Sequence, residues 1–271
     1  GSVRIPAALC GLAGFKPTQH RVSLDGAFPL SFTRDSVGPL GTSVACCELL
    51  DGLLSGVAHP PLEGVAVRGL KLGVPKTILL DGLDETVARA FSAALSTLSR
   101  AGAQIEEFDF PVLERERAGS AKANFSAVEA YALHRVRLEK SADKFDPRVR
   151  QRLMLGATMS ASDYVDLVLL RKSLIADANA ATSRFNALLA PTVPILAPRI
   201  AELEVSDAEF FRINGLLLRN CAPFNVLDRP CVSVPCHTTG EAPVGLMVVG
   251  ETMGDSRVLA IATAIESALA R

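Results

Sequence analysis

A chain of 271 residues, 49% of them hydrophobic, has enough apolar surface for a sizeable core, arranged as one large domain or two small ones. A formal net charge of -1 leaves no electrostatic footprint for nucleic acid or an anionic membrane, and no apolar run approaches the roughly 18 residues needed to span a bilayer. Six cysteines, at positions 10, 46, 47, 221, 231 and 236, lack Cys-x-x-Cys spacing and sit among apolar neighbours, as reduced cysteines in a cytosolic core do; cytoplasmic is the default location.

The first residues, Gly1-Ser2-Val3-Arg4-Ile5-Pro6-Ala7-Ala8, read as a fixed turn and a short helix to Leu9, with Pro6 suited to a first helical turn. Gly11 to Phe15 is a small-residue strand stopped by Lys16-Pro17. Thr18 to Leu30, with Asp25-Gly26 and Pro29, is a turn-rich loop. From Thr42 the pattern is helical, with Val44, Cys47, Leu50, Leu53 and Leu54 on one stripe and Gly56 as the stop. Leu70 to Val74 is a strand, and Asp81 to Asp84 supply caps for a helix to about Ala101 with Val87, Phe91, Leu95 and Leu98 inward. Ile105 to Phe110 follows as a strand, and such strand, helix, strand units favour a sheet covered by helices. Leu113 to Ile200 is mostly helical, with one stripe at Phe125, Val128, Tyr131 and Ala132 and a long pattern from Asp163 to Phe185. Ala187 to Val193 returns as a strand before Pro194 and Pro198. Ser206 to Cys221 is a helix capped by Ser206 and Asp207; Asn225 begins the last loop, Val232 to Val234 and Gly245 to Val249 are strands, and Val258 to Leu269 is the closing helix. The fold class is α/β: a mixed β-sheet sandwiched between α-helical layers, with residues 1–271 as a single domain.

Chemistry concentrates at the start. Glycine before Ser2, one charge after it, and a proline ending free rotation display a hydroxyl on a rigid bend, which makes Ser2 the candidate nucleophile. The backbone N–H groups of Gly1 and Ser2 are the candidate oxyanion donors, although Gly-Ser at a chain start is equally what a cloning junction leaves. Lys16 is the nearest lysine, but a strand separates it from the turn. Asp35 is one of few nearby acids and is expected to brace the turn through Arg4 or through backbone N–H groups around Ser2. His134 reads as a helix-surface histidine, and Arg148, Arg150, Arg152 and Arg171 as solvated or salt-linked rather than substrate anchors. Cys231, Cys236 and His237 match no common zinc spacing, and the two cysteines would face opposite sides of a strand, so no metal is expected.

Several separated blocks resemble the amidase signature family: Gly1 to Ala8, Cys10-Gly11, Gly14-Phe15-Lys16-Pro17-Thr18, Arg21-Val22-Ser23 and Asp35-Ser36-Val37-Gly38-Pro39. Downstream, Leu188 to Pro194, Pro223-Phe224-Asn225, Pro230 to Cys236 and Pro243 to Gly250 resemble its later strands. The resemblance implies an amidohydrolase that cleaves a linear carboxamide through a seryl acyl-enzyme at Ser2, without metal or organic cofactor. In the family a relay serine and a lysine lie upstream of the nucleophile. This chain is therefore expected to be the C-terminal part of an amidase, its N-terminal elements missing, inactive alone and partnered by the missing portion of the same protein; a homodimer is left open. An amidase component of a tRNA-dependent amidotransferase ranks lower, because the loop from Ser23 to Asp35 lacks the paired serines and the later glutamine expected there. Within the family the first block leans towards mandelamide or indoleacetamide hydrolases. From another class, a non-catalytic truncated or degenerate binding module stays open.

Overall fold

The computed structural model describes residues 1–57, 64–122 and 124–270. In chain order its elements are α1 (Arg4–Leu9), β1 (Ala13–Lys16), β2 (Leu40–Gly41), α2 (Val44–Ser55), β3 (Lys71–Pro75), α3 (Glu85–Arg100), β4 (Gln104–Phe108), α4 (Val112–Lys122), α5 (Phe125–Ser141), α6 (Pro147–Met154), α7 (Ala161–Thr182), β5 (Ala187–Pro191), α8 (Ile200–Leu203), α9 (Asp207–Arg219), α10 (Ala222–Val226), β6 (Cys231–Pro235), β7 (Gly245–Val249) and α11 (Asp255–Leu269).

The strands form one seven-stranded mixed sheet in the order β2-β1-β6-β7-β5-β3-β4. β3 runs parallel to β4 and β5, whereas β5–β7, β7–β6, β6–β1 and β1–β2 are antiparallel. The central strands are apolar on both sides because both faces are covered. Val232, Val234, Leu246 and Val248 point into the core shared with α2, α3 and α11, while Cys231, Met247 and Val249 point into the core shared with α4, α7 and α10. The mixed sheet between helical layers is thus present. Cys231 and Cys236 do lie on opposite faces.

Local chemistry sets the helix ends. Ser43 accepts from Cys46 N at the start of α2, and Gly56 ends it at φ 68°, the left-handed region open to glycine. Asp84 and Ser206 cap α3 and α9 in the same manner. Three expectations are corrected. On α2 the inward residues are Val44, Cys47 and Asp51, while Leu50, Leu53 and Leu54 are exposed; Asp51 is drawn inside by Arg21 at 2.9 Å. On α5 the inward face carries Glu129 and His134 beside Phe125, and Ala132 is exposed. Asn225 lies in the short helix α10 rather than opening a loop.

Candidate active site

The turn ahead of α1 is closed by Ile5 N donating to Gly1 O at 2.9 Å and Ala7 N to Val3 O at 3.1 Å. The N–H groups of Ser2, Val3 and Arg4 precede that first bond and have no intrahelical acceptor. Ser2 is exposed at the tip of this turn. α1 lies flat on β1, β6 and β7 because glycines clear its path: a Cβ on Gly14 would stand 2.6 Å from Ala7 Cβ, and one on Gly245 would stand 2.7 Å from Ala8 Cβ. Behind Ala8 the hydroxyls of Thr192 and Ser233 bond at 2.8 Å, fully buried.

Arg4 anchors the turn from beneath. Its side chain is wholly buried and donates to Met247 Sδ at 3.0 Å, to Cys221 O at 3.2 Å and to Asn225 Oδ1. One guanidinium thereby fixes the serine turn to β7 and α10. Its Nε has no hydrogen-bond partner among the described residues.

Asp35 does not join this assembly. Its Oδ2 accepts from Leu30 N at 2.8 Å and Ser31 N at 2.9 Å, so it braces its own loop, the local side-chain-to-backbone bonding that Asp favours in turns. The expected link to Arg4 or to the Ser2 turn is replaced by these bonds. Lys16 is committed elsewhere too: its buried Nζ donates to Pro17 O at 2.7 Å and Arg229 O at 3.2 Å. Burial pulls the Lys16 ammonium below its ordinary 10.5, against the opposing pull of Cys231 and Asp228.

α9 stands beside the turn. Leu218 Cδ2 is 3.4 Å from where a Cβ on Gly1 would lie. The end of α9 is pinned by two successive polar residues. Arg219 reaches Asp81 O at 2.5 Å and Leu79 O at 3.3 Å, and the buried Asn220 donates to Leu79 O at 3.1 Å and Pro191 O at 2.8 Å. A separate cleft of about 630 Å³ opens beyond β3 and β4, lined by Lys76, Ile78, Asp109 and Arg117 among others, and Ser2 does not line it.

Sequence reasoning missed a buried polar cluster on α5. Glu129 accepts from Ser31 Oγ at 2.6 Å, Thr33 Oγ1 at 2.7 Å, Tyr164 Oη at 2.9 Å and Thr33 N at 3.2 Å. Tyr164 is pushed up to about 12, by burial first and then by its bond to Glu129. Arg171 donates to Val226 O, Thr33 O and Gln19 Oε1, joining this loop to α10 and hence to the partners of Arg4. His134 is buried rather than on the surface: its Nε2 bonds Pro29 O at 2.6 Å, Nδ1 faces Arg137 at 3.0 Å, and its ring stacks on Phe28. Arg148 pairs with Asp207, Arg150 donates to Ala142 O and Arg152 to Asn214 Oδ1, which agrees with a salt-linked reading for Arg148.

The amidase family model matches residues 1–259. The chain belongs to the amidase family. It is 30% identical to a glutamyl-tRNA(Gln) amidotransferase subunit from Symbiobacterium thermophilum, over 98% of this chain and 61% of that protein. Among solved structures it resembles an amidase at 33% identity and TM-score 0.85, and a glutamyl-tRNA(Gln) amidotransferase subunit from Thermotoga maritima at 27% and 0.74. Each comparison covers 98% of this chain and 60% of the other. The chain thus spans about three fifths of the length of these relatives. None of them carries the lean towards mandelamide or indoleacetamide hydrolases.

Proposed function

We propose that this amidase-family chain carries the nucleophile of an amidohydrolase. Ser2 Oγ attacks the carbonyl carbon of a linear carboxamide while its proton passes to a base. The oxyanion is received by backbone N–H groups at Gly1, Ser2 and the residues just before them in a longer polypeptide. Collapse of the tetrahedral adduct breaks the C–N bond; ammonia or an amine leaves with a proton, and water then hydrolyses the acyl-enzyme to the acid. Losing one oxyanion donor of this kind slows such chemistry by about 3 to 4 kcal/mol. The observation that carries the reading is the exposed serine on a turn whose next-but-one residue, Arg4, is locked beneath it. The lysine nearest in sequence, Lys16, is tied to two carbonyls, so the reading assigns the base and the relay serine to residues upstream of Gly1.

The test is a fluorophosphonate probe on the natural full-length polypeptide containing these residues. Mass spectrometry is expected to find the label on Ser2, lost in Ser2→Ala, and to find none on the 271-residue chain alone. Amide hydrolysis that survives Ser2→Ala in the full-length protein would overturn the assignment. A second reading, an amidase component that delivers ammonia to a partner, is favoured by the names of the relatives, which are amidotransferase subunits. It predicts that release of ammonia from glutamine rises when the partner proteins are added, whereas a stand-alone amidase is indifferent to them.

A further inference from the structure

The helix α2 turns most of its hydrocarbon outward. Leu50, Leu53, Leu54 and Val57 stand at i, i+3, i+4 and i+7, and Leu49 adjoins Leu53 one turn away. All five are exposed, Leu49 to 67% and Leu53 to 72%. The inward face is taken by Val44, Cys47 and Asp51, and the only other charged residue of the helix is Glu48. A helix whose outer face met water would carry its polar residues there, and a contiguous apolar face of this kind marks a surface that something covers. The same end of the sheet is open. β2 ends the strand order and pairs with β1, so its outer edge has no ladder partner among the described residues. α1 and α2 flank this end on opposite faces. α1 lies over Gly14, which pairs with Leu40 of β2 and with Ser233, on the side of Cys231 and Met247, while Val44 and Cys47 of α2 pack on the side of Ala13 and Phe15. A chain entering at Gly1 therefore passes the free edge of β2 on its shortest way to the leucines.

Resting on the reading that residues upstream of Gly1 complete the active site, we infer that this upstream segment seats on the leucine face of α2 and on the edge of β2, adding strand to the sheet and apolar side chains over Leu49, Leu53 and Val57. With 61% and 60% of the relatives covered, about two fifths of their length lies outside this chain, ample for both. A second copy of the chain fits less well, because the two residues Leu40–Gly41 are too short an edge to pair with their own image. Covering the leucines removes hydrocarbon from water without burying an unpaired charge.

The experiment incorporates photo-leucine, which keeps the size and shape of leucine, into the natural full-length polypeptide and maps by mass spectrometry what residues 44–57 are joined to after irradiation. Leu49 and Leu53 are expected to cross-link to peptides upstream of Gly1 in a product of monomer mass. Cross-links between two copies at dimer mass, or water adducts alone at Leu49 and Leu53, overturn the seat. Leu53→Lys is the second measurement. It should lower the thermal midpoint of the full-length polypeptide by several degrees, because it places a charge in a covered apolar site; an unchanged midpoint, as a wet helix face would give, overturns the seat as well. Fluorophosphonate labelling of Ser2 in the same preparation separates the two readings. Label on Ser2 with wet leucines removes the seat and keeps the nucleophile, whereas upstream cross-links without label on Ser2 keep the seat and remove the nucleophile.

Discussion

Replacing Glu129 with alanine tests whether the cluster on α5 holds the loop from Ser31 to Asp35 in place. Glu129 is 2% exposed and gathers four donors: two hydroxyls of the loop, one loop N–H and the phenol of Tyr164. Hydrogen bonds to a charged group contribute about 1.5 to 3 kcal/mol each. The four share one acceptor and do not add. Thr33 and Tyr164 are only half-buried, so water can replace the carboxylate at part of the site. The buried hydroxyl of Ser31, at 1% exposure, has no such relief. We expect Glu129→Ala to cost about 3 to 5 kcal/mol, the scale for breaking a buried charged network, and to lower Tm by about 6 to 20 °C at this chain length. Glu129→Gln keeps the shape but places an amide donor among donors, and should cost about 1 to 3 kcal/mol. Urea unfolding followed by circular dichroism gives the free energy, and chymotryptic cleavage after the exposed Phe32 reports loop opening. A loss below about 1 kcal/mol in Glu129→Ala, with cleavage unchanged, would show that the loop is held by other contacts.

Three further outcomes follow from burial and charge. Burial raises Glu116 above its ordinary 4.5, outweighing its bond to Ser120 and the pull of Arg34. The folded state therefore binds the proton more tightly than the unfolded chain, and this group costs stability as pH rises from 4.5 through the folded value. Glu116→Gln should be more stable than the parent at pH 7, with the difference shrinking towards pH 4.5 in urea titrations; a difference that is flat with pH refutes this. Alkylation of the native protein with iodoacetamide at neutral pH should modify Cys46, whose thiol is lowered by Ser43 and Thr42, and the exposed Cys10. It should spare Cys47 and Cys236, both pushed up to about 12 by burial, and peptide mass mapping reads the pattern. Asn220→Ala removes the donor to Pro191 O and one of two donors to Leu79 O; it should cost about 2 kcal/mol in thermal unfolding, and a neutral result would mean that water replaces the amide.

The strands were legible in the sequence because they are short apolar runs buried on both faces, as with Leu246 to Val249. The helices were legible where capping residues and glycine stops mark them, as at Asp84 and Gly102. Which face points inward was less so. Leucine periodicity put Leu50, Leu53 and Leu54 of α2 inside, whereas an ion pair drew in Asp51 instead. Periodicity of apolar residues also has no means of flagging Glu129 or His134, whose burial depends on partners about a hundred positions away. At the candidate site the serine turn was readable from its own eight residues. The grip of Arg4 on Cys221 and Asn225 was not, since it spans 217 and 221 positions; Asp35 was assigned to Arg4 or to backbone N–H groups around Ser2, whereas the N–H groups of its own loop satisfy it.

The place of β1 in the sheet bears on how the molecule is made. Ala13–Lys16 emerges from the ribosome long before its main neighbour β6, more than two hundred residues later, with only the two-residue β2 available before then. Contacts that distant form late. The seat beneath Ser2 is completed only when the last third of these residues arrives, so a nascent or prematurely terminated product displays the hydroxyl without the platform that orients it.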